Sequence, residues 1–412
     1  MQDPAHVDLA ILGARPKAMA ALLRYFRDLD TAEEAFQEAS LRALQSWPKN
    51  GPPRDPTAWL VMVGRNAALD AKRRSRPTES LRDGDDVTDD DAALVPERLD
   101  ESQYHDDILR LMFVCGHPVL PATQQIALAL RIVSGLTVEQ IARAFLVTPS
   151  AMEQRITRAK RTLAEAGVQF DTPGAAERIA RLRTVSAMIY LIFNEGYAST
   201  PDTAAVRGSL AEEAMRLGRI LLGLFPADPE LLGLLALMLL QHARAAARFD
   251  DNGELVLLDE QDRSRWNRSL IEEGRVLLEK ANRHQQPGPY QIQAAIAALH
   301  ARAASPRDTA WEEIDLLYRA LEALSPSPVV TLNRAVAVCK LDGPEAALQM
   351  IEPLTTQLSG YFYFHGLRGA LLKQLNRPEA AREALSCAIT LANSVAEANH
   401  IRREIDRLGV VS

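Results

Sequence analysis

The residues best suited to chemistry lie in PSAMEQRITRAKRTL, Pro149 to Leu163. At helical spacing this stretch shows a polar face of Ser150, Glu153, Gln154, Arg155 and Arg158, with Lys160 and Arg161 following one turn on. Side chains of these types hydrogen-bond to base edges in a DNA major groove, and the trailing cations suit phosphates. Just upstream, Ile141, Ala142, Val147, Met152 and Ile156 put apolar residues where two crossed helices must touch. Ala142 is small enough for close approach. The pattern is that of a helix-turn-helix whose second helix enters the groove.

The elements that must hold this face can be read from punctuation. Leu120 to Leu163 divides into three helices, with Gly135 ending the first, Thr137 capping the second, and Thr148 or Ser150 capping the third. Related units usually place glycine in the turn between the last two. Here Leu146 stands there, so a reshaped turn is expected.

Residues 5–76 also read as helices. Ala18, Leu22, Leu23 and Phe26 recur at helical spacing, as do Ala35, Phe36, Ala39, Leu41 and Leu44. Thr31 with Glu34 makes a capping box. Pro48 to Pro56, PKNGPPRDP, reads as a loop, and Trp59, Val63, Ala67 and Leu69 start another helix. That helix turns basic at its end: residues 65–76 carry Arg65, Lys72, Arg73, Arg74 and Arg76 against Asp70 alone. Residues 77–100 then turn acidic and hold few large apolar groups, the composition of a flexible linker. The compact unit 101–167 follows. The whole chain has a net charge of −7, and that total hides two basic patches flanking an acidic segment.

From Pro173 to Ser412 helices continue, without runs of alternating β-branched residues. A period of 34 links Ala335 with Gly369, Val338 with Leu372, and Ala347 with Ala381. Leu317, Ile351 and Leu385 carry the register through three units, as do Ala320, Leu354 and Ala388. The pattern resembles tetratricopeptide repeats and is clearest over 290–412. The expected fold is all-α.

Several classes are excluded. At 412 residues, 47% hydrophobic and 25% charged, the chain can bury ordinary cores. No uninterrupted apolar run reaches the roughly 18 to 20 residues of a membrane span, and Leu231 to Leu240 comes nearest. No basic segment followed by an apolar stretch opens the chain, so a cytoplasmic, membrane-free protein is expected. Cys115, Cys339 and Cys387 are scattered, which argues for small core residues rather than disulfides or zinc ligands. Eight histidines are dispersed, and GxxxxGK[ST], HExxH and GxSxG are absent. No metal, cofactor or catalysis is expected.

Taken together, TAEEAFQEASLRAL, AWLVMVGRNAALDAKRR and the stretch Leu120 to Leu163 resemble bacterial extracytoplasmic-function (ECF) sigma factors. The first two match sigma region two (5–76) and the last sigma region four (101–167). MIYLIFNEGYAST, LLGLLALMLL and ELVLLDEQDRSRWNRSLIEEG resemble the extension of a subgroup with tetratricopeptide-like repeats, here 173–412. The resemblance implies core RNA polymerase and promoter DNA as partners, with a protein or peptide for the repeats. It implies polymerase docking by Glu34, Gln37 and Glu38. It implies minus-ten contacts from Arg65, Asn66, Lys72, Arg73 and Arg74, with Lys49, Asn50 and Arg54 as polar candidates for holding a flipped base. Ser150, Glu153, Gln154, Arg155, Arg158, Lys160 and Arg161 would take the minus-thirty-five element. Trp59 reads as core rather than a base-stacking platform, and Trp47 suits either role.

Three questions stay open on sequence. The acidic linker is either a solvated tether or, as in the family, a mimic of nucleic acid in the polymerase's RNA path. The extension can gate the sigma units from within the chain. A rival reading is a helix-turn-helix regulator acting without polymerase, which needs no acidic docking helix. In FNEGY and DEQDRSRW, buried hydrogen-bond networks are a simpler account than a ligand pocket.

Overall fold

The computed structural model describes residues 4–75, 101–145, 147–168, 175–197, 201–250, 253–392 and 395–408. Among these no strand forms, and one isolated bridge pairs Phe249 with Leu255. The architecture is all-α, in two compact units that divide between Ile192 and Phe193. The acidic segment 77–100 and Leu146 lie outside the described residues.

In the first unit, α1 (Pro4–Phe26), α2 (Leu29–Asn50) and α3 (Pro56–Ser75) pack into a bundle around Met19, Leu22, Phe36 and Leu60. The α2–α3 crossing is tight. A Cβ on Gly64 would sit 2.7 Å from the Ala35 carbonyl oxygen, so only glycine lets the two backbones meet. Four further helices follow: α4 (Glu101–Cys115), α5 (Ala122–Ile132), α6 (Val138–Ala144) and α7 (Pro149–Glu165).

Three expectations for the bundle are corrected. Asp28, not Thr31, caps α2: its Oδ1 accepts the Thr31 N–H at 2.7 Å and the Thr31 hydroxyl at 2.5 Å. A carboxylate suits the positive helix end, and the left-handed Arg27 (φ 55) delivers the chain to it. The loop is shorter than Pro48 to Pro56, since α2 runs through Pro48, Lys49 and Asn50. Proline removes one N–H bond without forbidding the turn, and the helix stops at Gly51 (φ 77), whose N–H bonds to Trp47. Leu41 and Leu44 are not core; they are 55% and 45% exposed, while Ala39 and Ala43 face inward.

The second unit contains α9 (Pro201–Leu224), α10 (Pro229–His242), α11 (Arg268–Asn282), α12 (Pro289–Arg302) and α13 (Trp311–Leu324). It continues with α14 (Pro328–Asp342), α15 (Pro344–Ile351), α16 (Phe362–Gln374), α17 (Pro378–Thr390) and α18 (Val395–Leu408). The unit boundary falls inside α8 (Ala175–Tyr197). Helix α10 is apolar all round because α9, α11 and α12 cover it, and Leu231 to Leu240 are buried without exception. The stretch Pro229–Ala247 passes the length and apolarity test for a membrane span, with 67% of it buried inside the protein.

The period of 34 holds for the last two helix pairs: Ala335, Gly369, Ala347, Ala381 and Leu372 are all buried. A Cβ on Gly369 would meet the Leu385 side chain at 2.6 Å, the close approach that the small position permits. The register fails at Ala320, which is exposed, because α13 instead buries Ile314, Asp315 and Leu321. The three thiols also differ. Cys115 is buried, and burial pushes its thiol up to about 12, whereas Cys339 is half-buried and Cys387 is exposed rather than core.

Candidate nucleic-acid interface

The helix-turn-helix is built by capping and one apolar seam. Thr137 and Gln140 cap α6 reciprocally: the Thr137 N–H donates to Gln140 Oε1 at 2.8 Å, and the Gln140 N–H donates to Thr137 Oγ1 at 3.2 Å. Thr148, rather than Ser150, caps α7 by accepting the Ala151 N–H at 3.2 Å, with Pro149 in the first turn. Met152, Ile156, Ala159 and Leu163 bury one stripe of α7, while Ile141, Ala142 and Ala144 bury α6. The opposite stripe is thereby turned outward. Ser150, Glu153, Gln154, Arg158 and Arg161 are exposed and Arg155 is half-buried.

Lys160 departs from this group. Its ammonium lies 2.5 Å from Asp30 Oδ1 and 2.8 Å from Glu33 Oε2, both on α2. Burial favours the neutral forms of Lys160 and Glu33, but their hydrogen bonds and mutual attraction win. Lys160 is held above the usual lysine range, and Glu33 below the usual carboxylate range. Arg131, at the end of α5, adds a second cation to Glu33 at 2.6 Å. Buried Arg15 of α1 donates to the carbonyls of Ile132 and Arg131 at 3.1 and 3.0 Å, completing the C-terminal end of α5. Arg24 reaches buried Asp107 of α4 at 3.1 Å. The N-terminal bundle and the helix-turn-helix are therefore joined by a polar seam. Its residues read individually as solvated charges, which is why sequence reasoning missed it.

On α2, Glu34 and Gln37 are exposed and Glu38 is half-buried, with Glu38 paired to Arg42 at 3.0 Å. Leu41 and Leu44 continue the same face one and two turns on, giving a stripe that begins acidic and ends apolar. Sequence reading took those leucines for core; a helix with more large apolar residues than its packed face can hold is the signal available in hindsight.

The residues matched to the minus-ten element are only partly gathered. Lys49 and Arg54 are exposed on either side of the short turn, and Asn66 is exposed on α3. Arg65 is half-buried, with its guanidinium 5.1 Å from the Tyr25 ring centroid. Asn50 ends α2, and Lys72, Arg73 and Arg74 lie in the last turns of α3; their side chains are outside the described residues. Of the tryptophans, Trp47, which suited either role, is buried, and Trp59, read as core, is half-buried, with centroids 5.2 Å apart.

Family models agree with this layout. Sigma-70 region 2 matches residues 13–78, and sigma-70 region 4 matches residues 112–163. The chain carries sigma-70 region 2 and region 4 domains, in that order. A third model, DUF6596, described as a family of unknown function, matches residues 181–282 of the extension. A relative from Rhizobium meliloti (strain 1021), named "Uncharacterized protein R00370", is 62% identical over 414 residues. The match covers 99% of this chain and 97% of the relative. Among solved structures, the crystal structure of yeast Tom70 aligns over 98% of this chain and 85% of its own. The TM-score is 0.39 at 12% identity. Promoter recognition is the work of sigma-70 regions 2 and 4, and the exposed face of α7 belongs to region 4.

Proposed function

We propose that the chain is an ECF-type sigma factor that binds core RNA polymerase in the cytoplasm, carries it to promoters and has no catalytic activity of its own. The observation that carries the reading is the outward face of α7, where Gln154, Arg155, Arg158 and Arg161 stand on a helix fixed from behind by Met152 and Ile156. In this reading Ser150, Glu153 and Gln154 meet base edges, while Arg158 and Arg161 meet phosphates. The α2 stripe from Glu34 to Leu44 meets polymerase, its acidic end setting register and on-rate. Lys49, Arg54, Arg65, Asn66 and Lys72 to Arg74 serve the minus-ten element.

The polar seam adds a step. Elements centred near minus ten and minus thirty-five lie about 25 base pairs apart, roughly 85 Å at 3.4 Å per pair. Helices joined by a 2.8 Å ion pair cannot serve both at once. The seam must open on polymerase, and Lys160 is then released to join Arg161 on the backbone.

The extension serves to bind a protein or peptide that sets activity. A hollow of about 640 Å³ among α10, α11, α12 and α13, lined by Ile271, Leu278, Leu299, Leu316 and Leu317, supports a binding role. Affinity chromatography of purified core polymerase on the immobilised chain tests the assignment. Retention that is lost on replacing Glu34 and Leu41 supports it. Sequence-specific DNA binding with no retention of polymerase favours the plain regulator instead.

A further inference from the structure

The turn between α10 and α11, which contains DEQDRSRW, does not complete its hydrogen bonds. Arg263 is 7% exposed. Its Nη1 donates to the His300 and Ala303 carbonyls at 2.7 and 2.6 Å, closing the C-terminal end of α12. Its Nε and Nη2 form the side-on fork that fits two oxygens of one ligand, and both are buried with no acceptor among the described residues. A guanidinium cannot shed its charge, so neutralisation is not an escape. The two carboxylates acting on it through space are engaged elsewhere. Asp259 Oδ2 holds Lys340 Nζ at 2.7 Å, and Asp308 Oδ2 accepts the Ser305 N–H and hydroxyl at 3.0 and 2.8 Å.

Among the described residues, other buried polar atoms on this turn, at the end of α12 and on the α12–α13 turn also lack partners. The Trp266 ring lies 4.9 Å from the Arg263 guanidinium, and its Nε1–H has no acceptor. His300, whose carbonyl Arg263 holds, stacks edge-on against Trp311 at 5.4 Å and keeps Nδ1 unbonded. The Trp311 N–H bonds to the Thr309 carbonyl at 2.9 Å, and the Thr309 hydroxyl is buried and unpaired. Three of these five atoms can only donate, and the hydroxyl and the imidazole nitrogen can donate as well. A donor-rich, acceptor-poor cluster beside an unpaired cation selects an acceptor with negative charge. Arg263, Trp266 and Thr309 are all buried, which limits any occupant to a small one.

We propose that Arg263, with Trp266, His300 and Thr309 around it, forms a site for a small oxyanion, a carboxylate or a phosphate group gripped by the Arg263 fork. Such a ligand would tie the α10–α11 turn to the α12–α13 turn, so its level would tune the order of the extension. This site is independent of the polymerase and promoter reading.

Thermal unfolding of the full chain tests it, with acetate and inorganic phosphate as probes and chloride at matched ionic strength as control. A saturable rise in unfolding temperature of about 3 °C or more with either probe, absent with chloride, is expected. Acetate alone identifies a planar carboxylate site, and phosphate alone a tetrahedral one. Arg263→Lys keeps the charge but loses the fork, and Thr309→Val keeps the shape but loses the hydroxyl; each should weaken the response about tenfold in apparent affinity. No saturable response to either probe in the wild-type chain overturns the proposal. So does a response that Thr309→Val leaves unchanged along with Arg263→Lys, since the anion then binds elsewhere.

Discussion

Lys160 Nζ lies 2.8 Å from Glu33 Oε2, so α7 of the helix-turn-helix is tied to α2 of the N-terminal bundle. Removing one partner from a buried pair leaves an uncompensated charge, typically at a cost of about 3–5 kcal/mol. Lys160→Glu should therefore open the seam and increase the radius of gyration measured by small-angle X-ray scattering. Lys160→Arg, which keeps a cation between Asp30 and Glu33, should leave the chain compact. An unchanged radius in Lys160→Glu would show that this pair does not hold the two modules together.

The same pair predicts a flat pH response near neutrality. Glu33, held low, stabilises the seam above the ordinary carboxylate range and loses that contribution as the pH falls through its folded value. Lys160, held high, stabilises it below about 10.5 and loses that contribution as the pH rises through its folded value. Scattering between pH 6 and 9 should not change, and opening within that window would contradict the assignment.

His300 predicts the opposite behaviour for the extension. Burial first, then the charges of Arg244 and Arg263, lower it from 6.5 to about 4. Its neutral form contributes stability above pH 6.5, lost as the pH falls from there toward 4. The shift corresponds to about 3 kcal/mol at 1.36 kcal/mol per unit. His242 and His400 are lowered too, chiefly by burial, and act in the same direction. Urea midpoints for the α9–α18 signal should drop between pH 7 and 5, and His300→Gln should flatten the drop.

Leu41 and Leu44 separate folding from function. Being exposed, they should tolerate Leu41→Asp and Leu44→Asp within about 0.5 kcal/mol of wild-type stability. Binding to core polymerase should fall at least tenfold. Equal binding by both variants would remove the stripe from the docking surface.

Arg158→Ala should weaken DNA binding evenly across sequences and lower the salt slope by about one, whereas Gln154→Ala should relax preference at one base pair. Fluorescence anisotropy over a salt series distinguishes these effects.

Much of this layout is legible in the residues. The caps at Thr137 and Thr148, the buried stripe Met152, Ile156 and Leu163, and the pairs Ala347 with Ala381 and Ala335 with Gly369 all follow from local chemistry and spacing. What escaped depends on long-range geometry. Asp28 outcompetes Thr31 because of the turn at Arg27, and Pro48 is carried inside α2 because only one N–H is lost. Trp47 goes inside and Trp59 packs edge-on against it half-buried, a division that spacing alone does not set. Arg15, Glu33, Arg131 and Lys160 are solvated charges to any local rule, and only the fold shows that they meet.

Run-off transcription with purified core polymerase, over a library of promoter fragments, tests the central claim most directly. RNA should start at fixed points downstream of one shared pair of sequence elements, only when this chain is present, and should be lost in Arg155→Ala/Arg158→Ala. Transcripts that are absent or unchanged by adding the chain, with Lys160→Glu as well as with the wild type, would contradict it.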